Sequence, residues 1–254
     1  MTSHTAHASA GQHWETSAAP FLIALGCLLA IPLPFASYFQ YHSFGFAIGF
    51  LGIGVPVLLA GIAIWVNEGL TQKHDQFGYV SMGLPIFITS EAFIFLGIFA
   101  SYWALRLLAP SWPPANTPHI GLTIPLIMTV ILVSSSVTIH MAEDKLEEGD
   151  VSGFRSMLIV TILLAAVFLG CTLFEYSHLI GENFVPGTNI YSSAFFSITG
   201  FHAAHVLVGI GIFVSVLLPA LGGKINKDFV KCAGVYWHFV DIVWFFVVSQ
   251  VYFW

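Results

Sequence analysis

The sequence predicts an all-α membrane protein with seven transmembrane helices, and three observations carry this prediction. Of its 254 residues, 57% are hydrophobic and only 8% are charged, whereas a soluble globular domain has about 25% charged residues. The hydrophobic residues form runs of about 20, the length that a spanning helix needs. The few basic residues fall in alternate connections between these runs. This composition excludes a water-facing surface over most of the chain, and a net charge of −6 without a basic cluster argues against a nucleic-acid partner.

Seven apolar runs are long enough to cross a membrane. They cover residues 18–37, 44–66, 79–105, 119–141, 154–179, 192–220 and 229–253. Continuous runs indicate helices, because the strands of a membrane barrel alternate apolar and polar residues. We divide the chain into an N-terminal tail at 1–17, helices one and two at 18–70, and helices three to seven at 71–254. The tail lacks the basic and apolar regions of a signal peptide.

The basic residues orient the predicted bundle. If the amino terminus is inside, only Arg106 lies outside, and the other six basic residues lie in inside connections: Lys73, Lys145, Arg155, Lys224, Lys227 and Lys231. Positive residues concentrate in cytoplasmic loops. We therefore expect an inside tail and an outside carboxyl terminus.

A polar layer is predicted near the middle of the membrane. Glu91 lies on helix three, His202 and His205 lie three residues apart on helix six, and His238 and Asp241 repeat that spacing on helix seven. At about 1.5 Å per residue, Glu91 and Asp241 lie about 18 Å from the inner helix ends, and His205 and His238 lie within about 4 Å of that depth. We expect these four groups to satisfy one another, since ionisable groups in the membrane are costly when unpaired.

Three interpretations of this layer stay open at this point. His and carboxylate groups three apart on facing helices build di-metal centres in bundles; helix five adds Glu175 and His178 in the same pattern, but they lie about 14–18 Å from the layer. Chains of Glu, His and Asp also make proton relays in pumps and transporters. The third interpretation, which we favour, is a hydrogen-bonded network that fixes helix packing.

Small residues predict one site of close helix packing. Gly45 and Gly49 form a GxxxG pattern on helix two, with Gly52 and Gly54 following. Such a pattern lets a neighbouring backbone approach closely.

Several motifs together resemble subunit III of the haem-copper cytochrome c oxidases over essentially the whole chain. They are ITSEAF around Glu91, EEGD at 147–150, FEY at 174–176, FF at 195–196, TGFHAAHV ending at 206 and YWHFVDIVWFF at 236–246. Third subunits of quinol oxidases are similar but usually begin at helix three. The presence of helices one and two therefore favours the cytochrome c oxidase branch.

The resemblance implies a non-catalytic subunit packed against subunit I of a proton-pumping aa3-type oxidase in an aerobic respiratory chain. Haem a, haem a3 and copper would lie in partner subunits, with no metal in this chain, and cytochrome c would be the electron donor. Helices one and two would splay from three to seven, with phospholipids bound in the cleft. The subunit would stabilise subunit I and support proton uptake into its D pathway. Subunit II and small subunits are further expected partners.

The resemblance also implies site residues. Glu91 corresponds to the carbodiimide-reactive glutamate of the family, with His205 as its expected partner and His202, His238 and Asp241 as neighbours. Two family positions that bind lipid headgroups differ here, because Asn67 and Pro219 stand where basic residues are usual. We expect Trp65, His74 and Lys224 to compensate, so the predicted lipid-binding residues are Trp65, His74, Glu91 and Lys224.

A quinol oxidase subunit is the first alternative function, and a stand-alone intramembrane metalloenzyme or a proton-coupled transporter is the next. The expected location is a bacterial inner membrane, with the mitochondrial inner membrane as the alternative.

Overall fold

The computed structural model describes residues 17–71, 77–115 and 117–253, and all regular structure in these ranges is helical. Seven segments are long and apolar enough to cross a membrane: Ala19–Phe39, Phe44–Leu70, Gly83–Leu108, Thr123–Glu147, Val151–Gly181, Ile190–Leu221 and Lys227–Tyr252. The predicted number of spanning helices is confirmed. The tail before Ser17, and the loop residues Lys73 and His74, lie outside the described residues.

The chain divides into two compact units, Met1–Gln72 and Lys73–Trp254. The first contains α1 (Ala19–Ala30), α2 (Pro32–Phe39) and α3 (Phe44–Thr71). The second contains five long helices and a terminal π-helical turn: α4 (Phe77–Leu108), α5 (Thr123–Glu147), α6 (Val151–Gly181), α7 (Ile190–Leu221), α8 (Lys227–Val247) and Val248–Tyr252.

The first spanning segment is interrupted, although the sequence predicts one continuous helix over 18–37. Ile31 separates α1 from α2, with φ −117° and ψ −77°. Pro32 and Pro34 follow directly, in the first turn of α2. Proline has no backbone N–H and its ring clashes with the preceding turn, so it begins a helix well and breaks a continuing one.

Glycines bring α1 and α3 into close contact, but not the pair that the sequence singles out. A Cβ at Gly54 would lie 2.6 Å from backbone atoms of Leu29 and Ala30, whereas a Cβ at Gly45 or Gly49 would meet none of the described atoms within 4 Å. Of the four glycines in the predicted pattern, Gly54 makes the close approach to α1, whereas a Cβ at Gly45, Gly49 or Gly52 would contact none of the described atoms. A glycine pattern shows that a helix has a face without large side chains. The position of the neighbouring helix determines which of these glycines are covered.

Capped turns join the antiparallel helices of the second unit. Asp150 begins α6 by accepting a hydrogen bond of 2.9 Å from the N–H of Gly153. Asn189 begins α7 in a capping box with Ser192, and Asn226 caps α8. These side chains satisfy amide groups that a helix start leaves without partners. The turns allow α4, α5 and α7 to pack around α8, whose span is the most buried of the seven described.

The π-helical turn after α8 is held by side chains from two other helices. Tyr102 of α4 donates to the carbonyl oxygen of Gln250 at 2.7 Å, and Tyr191 of α7 donates to that of Val251 at 2.9 Å. The indole of Trp103 donates to the side chain of Gln250 at 2.9 Å. Carbonyl groups at a helix end have no partner within the helix. The two tyrosines therefore anchor the π-helical turn to the bundle.

Candidate functional site

Glu91 on α4 and His205 on α7 form a hydrogen-bonded pair, with 3.0 Å between Oε2 of Glu91 and Nε2 of His205. Only 17% of the Glu91 side chain and 12% of the His205 side chain are exposed. Nδ1 of His205 lies 2.8 Å from the carbonyl oxygen of Phe201, which can only accept. The hydrogen-bond network therefore assigns a proton to Nδ1, and the Glu91 contact needs one more proton, carried by either partner. The pair has no net charge in either case.

Aromatic groups surround the imidazole of His205. The ring centroids of Phe95 and Phe201 lie 4.9 Å and 4.6 Å from its own. Tyr236 of α8 donates to its backbone carbonyl at 3.2 Å. Three helices therefore fix the position of the ring. The α4 side is more open, since Ile94, one turn after Glu91, is exposed.

His238 and Asp241 of α8 meet through a third residue, Ser136 of α5. The Ser136 hydroxyl donates to Oδ2 of Asp241 and lies 3.1 Å from Nδ1 of His238. The Asp241 side chain is buried, and its Oδ1 has no hydrogen-bond partner among the described residues. Ser136 is not among the residues that the sequence pattern predicts for this layer. Its only signal is a run of three serines, Ser134–Ser136, in the middle of an apolar helix.

His202 is fully buried, yet neither of its ring nitrogens has a hydrogen-bond partner in the described part of the chain. Its ring packs against Trp244 of α8, with 5.0 Å between the centroids, and edge-on to Phe168 of α6 at 5.6 Å. It therefore takes part in aromatic packing, although it lies one turn from His205.

The predicted polar layer thus consists of two separate groups and one isolated imidazole. Glu91 pairs with His205, and Asp241 pairs with His238 through Ser136. No hydrogen bond among the described residues joins the two groups. We expected the four residues to form hydrogen bonds with one another. The described residues show such contacts within each group and none between the two groups.

The sequence matches the family model described as cytochrome c oxidase subunit III over residues 12–254. The chain belongs to the cytochrome c oxidase subunit III family. A protein named cytochrome c oxidase subunit 3 from Corynebacterium diphtheriae is 40% identical over 180 residues, covering 68% of this chain and 87% of the relative. Proteins of that name from a Synechocystis strain and from Allomyces macrogynus are 33% and 32% identical, covering 78% and 94% of this chain and 87% and 91% of the relatives.

Family membership and the seven apolar spans make this chain an integral membrane protein and a member of an oxidase complex. The predicted resemblance is confirmed. The motifs that carry it also supply the polar contacts described above. TGFHAAHV contributes His202 and His205, and YWHFVDIVWFF contributes Tyr236, His238 and Asp241.

The second motif with carboxylate and imidazole groups, Glu175 and His178 of α6, does not form a joint site. Glu175 is buried and accepts a hydrogen bond of 2.7 Å from the hydroxyl of Tyr252. His178 is exposed and lies 3.5 Å from Glu182. More generally, no three His, Cys, Asp or Glu side chains of the described residues come close enough together to hold a metal ion.

The predicted lipid-binding residues occupy different parts of the chain. Trp65 is 46% exposed on α3, and Lys224 is exposed in the turn between α7 and α8. His74 lies outside the described residues. Pro219 accepts backbone hydrogen bonds from Gly222 and Lys224 where α7 ends.

Proposed function

We propose that this chain is the non-catalytic subunit III of a proton-pumping, aa3-type cytochrome c oxidase in a bacterial inner membrane. In this proposal it packs against subunit I, binds phospholipid and supports proton uptake into the D pathway. Haem a, haem a3 and copper belong to the partner subunits, and cytochrome c supplies the electrons.

The neutral pair of Glu91 and His205 is the observation that carries the proposal. A carboxyl group whose single proton is shared with an imidazole, deep in a helix bundle, is suited to hydrogen bonding and not to redox chemistry.

Phospholipid binding is supported by the surface next to the pair. Phe87 and Ile94 lie one turn before and about one turn after Glu91 on α4, and both are exposed. Apolar side chains of this kind suit acyl chains, while the partly exposed carboxyl group of Glu91 offers a hydrogen-bond partner for an ester or hydroxyl group. Exposed Lys224 offers a positive charge to a headgroup phosphate.

Support for proton uptake comes from the end of the second unit that holds the turns between α5 and α6 and between α7 and α8. We call this the basic end, after Lys145, Arg155, Lys227 and Lys231, and the charge distribution predicts it to be inside. His140 and Asp144 are exposed there and lie 3.8 Å apart. Groups that exchange protons with water at this surface suit a subunit that supports proton entry.

Purification of the complex tests the proposal. The chain is tagged and isolated with its partners in mild detergent, and the preparation is assayed for optical spectrum, metal content and oxidation of cytochrome c or quinol. We expect haem a, copper and cytochrome c oxidation in the complex, and no visible absorption from the chain separated from it. Stoichiometric iron, copper or zinc in the separated chain would contradict the proposal, and oxidation of quinol alone would assign the complex to the quinol branch.

A further inference from the structure

A line of polar side chains runs along the contact between α5 and α8, from the basic end into the middle of the bundle. The two helices are antiparallel. Each step of about one turn toward the start of α5 therefore corresponds to a step of about one turn toward the end of α8. We call this line the α5–α8 seam; from the basic end, its pairs are Glu147 with Lys231, Glu143 with Gly234, His140 with His238, and Ser136 with Asp241.

The outer part of the seam is formed by charged groups. Glu147 and Lys231 form an ion pair, with 2.9 Å between Oε1 and Nζ, and both side chains are more than half exposed. One turn further in, the carboxyl group of Glu143 lies directly over Gly234, where it takes the space of a Cβ atom. Glu143 also interacts electrostatically with Lys231 and with His140. Carboxylates therefore lie next to one another from the water-facing end inward.

The middle of the seam is formed by two imidazoles. The side chain of His140 is 68% exposed and is close enough to His238 for an electrostatic interaction. His238 is half-buried and contacts the Ser136 hydroxyl through Nδ1. The exposed part of the seam thus continues, through His238, to the half-buried hydroxyl group of Ser136. From Glu147 to Ser136 it covers about 16 Å along α5, at 1.5 Å per residue.

The seam ends at Asp241. This side chain is 6% exposed, and Oδ1 has no partner among the described residues. One turn beyond it, Trp244 donates to Thr129 at 3.0 Å and packs against the rings of Phe168 and His202. These aromatic groups close the seam toward the other side of the membrane. An unpartnered carboxyl oxygen at a closed end is costly unless it can take up a proton.

We propose that the α5–α8 seam is a proton-binding site, filled from the basic end, in which Asp241 is the terminal proton acceptor. A proton from water joins Nε2 of His238, and the Nδ1 proton of that ring passes to the Ser136 oxygen. The proton already on Ser136 moves to Oδ2 of Asp241, which becomes a neutral carboxylic acid. His238 is left neutral with its proton on Nε2. One proton has therefore been taken up from water at His238, and one has been delivered to Asp241. Release follows the reverse order.

The seam suits a proton better than a metal ion, because its groups are arranged in a line and not around a point. The helices packed against α8 carry further titratable groups: His140 and Glu143 on α5, His202 and His205 on α7, and Glu91 on α4. Glu91 and His205 are occupied with each other. The His238 route through Ser136 is therefore the connection that reaches Asp241.

Infrared spectroscopy of the purified oxidase complex tests this site. The band of protonated carboxyl groups is recorded across a pH series in wild type and in Asp241→Asn, so that the difference isolates Asp241. We expect a band that is lost as the pH rises and that shifts rapidly on transfer to heavy water. Identical carboxyl bands in the two proteins at every pH, or a band that never changes with pH, would overturn the proposal.

Ser136→Ala tests the route in a complex that retains Asp241. We expect the Asp241 band to persist while its fast exchange phase is lost, because the hydroxyl bridge is missing. Ser134→Ala is the matched control, since its hydroxyl donates to the carbonyl of Val130 in its own helix, and it should exchange at the wild-type rate. Fast exchange that survives in Ser136→Ala would overturn the proposal even if Asp241→Asn fails to assemble.

Discussion

One proton lies between Oε2 of Glu91 and Nε2 of His205, because the other ring nitrogen of His205 already donates to the carbonyl of Phe201. The pair can move this proton internally without changing its net charge. A group with this property can bind a polar ligand in the membrane without the cost of an isolated charge.

Replacing Glu91 by Ala should therefore leave oxygen reduction by the complex largely intact. It removes the partner of Nε2 on His205 and the carboxyl group that we assign to lipid. We expect less bound phospholipid, earlier inactivation during turnover, and a loss of about 1–3 kcal/mol in the free energy of unfolding of this subunit. The measurements are native mass spectrometry, the number of turnovers before inactivation, and denaturant titration.

Glu182→Ala is the control for that experiment, because Glu182 is a partly exposed carboxylate outside the described spans that pairs with His178 on the surface. The Glu182→Ala complex should keep the wild-type amount of bound phospholipid and the wild-type number of turnovers before inactivation. Immediate loss of haem-centred activity in Glu91→Ala, with the complex still assembled, would contradict a supporting role.

Gly209 on α7 should tolerate no larger residue. A Cβ at this position would lie 2.6 Å from the indole ring of Trp237, which is fully buried and donates to Ser135 at 3.0 Å. Gly209→Ala should lower the free energy of unfolding by about 1–3 kcal/mol, as overpacking does in other cores. Gly211→Ala provides the comparison, since none of the described atoms lies within 4 Å of its Cβ. Equal stability of the two variants would show that the ring can move away at little cost.

Glu175 and Tyr252 should behave as a coupled pair. Tyr252→Phe leaves the buried carboxyl group without its hydroxyl donor, and Glu175→Leu leaves the buried hydroxyl without its acceptor. We expect each single change to lower the free energy of unfolding by about 1–3 kcal/mol, and the double change to lower it by less than the two combined. Thermal denaturation of the four proteins measures the coupling, and strictly additive effects would show that the hydrogen bond contributes little.

The seven spans are predictable from the sequence alone, because length and hydropathy are properties of one helix at a time. Ser136 could not be predicted. Nothing in the sequence distinguishes it from Ser134, whose hydroxyl bonds to its own helix, as serines in membrane helices commonly do. Only the position of α8 makes Ser136 a bridge.

Two further differences between the sequence prediction and the structure also depend on how neighbouring helices pack. Pro32 and Pro34 are visible in the sequence, but membrane helices tolerate proline when neighbouring groups satisfy the backbone, so composition does not decide between a continuous and a broken helix. Gly45, Gly49 and Gly54 are likewise equivalent in the sequence. The path of α1 along α3 determines that Gly54 is covered.

The anchoring of the last helix has a consequence for the order of assembly. Tyr102 and Tyr191 enter the membrane before α8 and the π-helical turn that follows it, and they later donate to carbonyl groups of that turn. Until α8 arrives, Ser136 and Thr129 also lack their partners from that helix. Helices α4 to α7 therefore form an incomplete intermediate during synthesis. The polar side chains that α8 later covers are exposed in it to lipid or to an insertion chaperone. Insertion of α8 is then the committed step of biogenesis, and a truncation that removes it should direct the nascent subunit to membrane proteolysis.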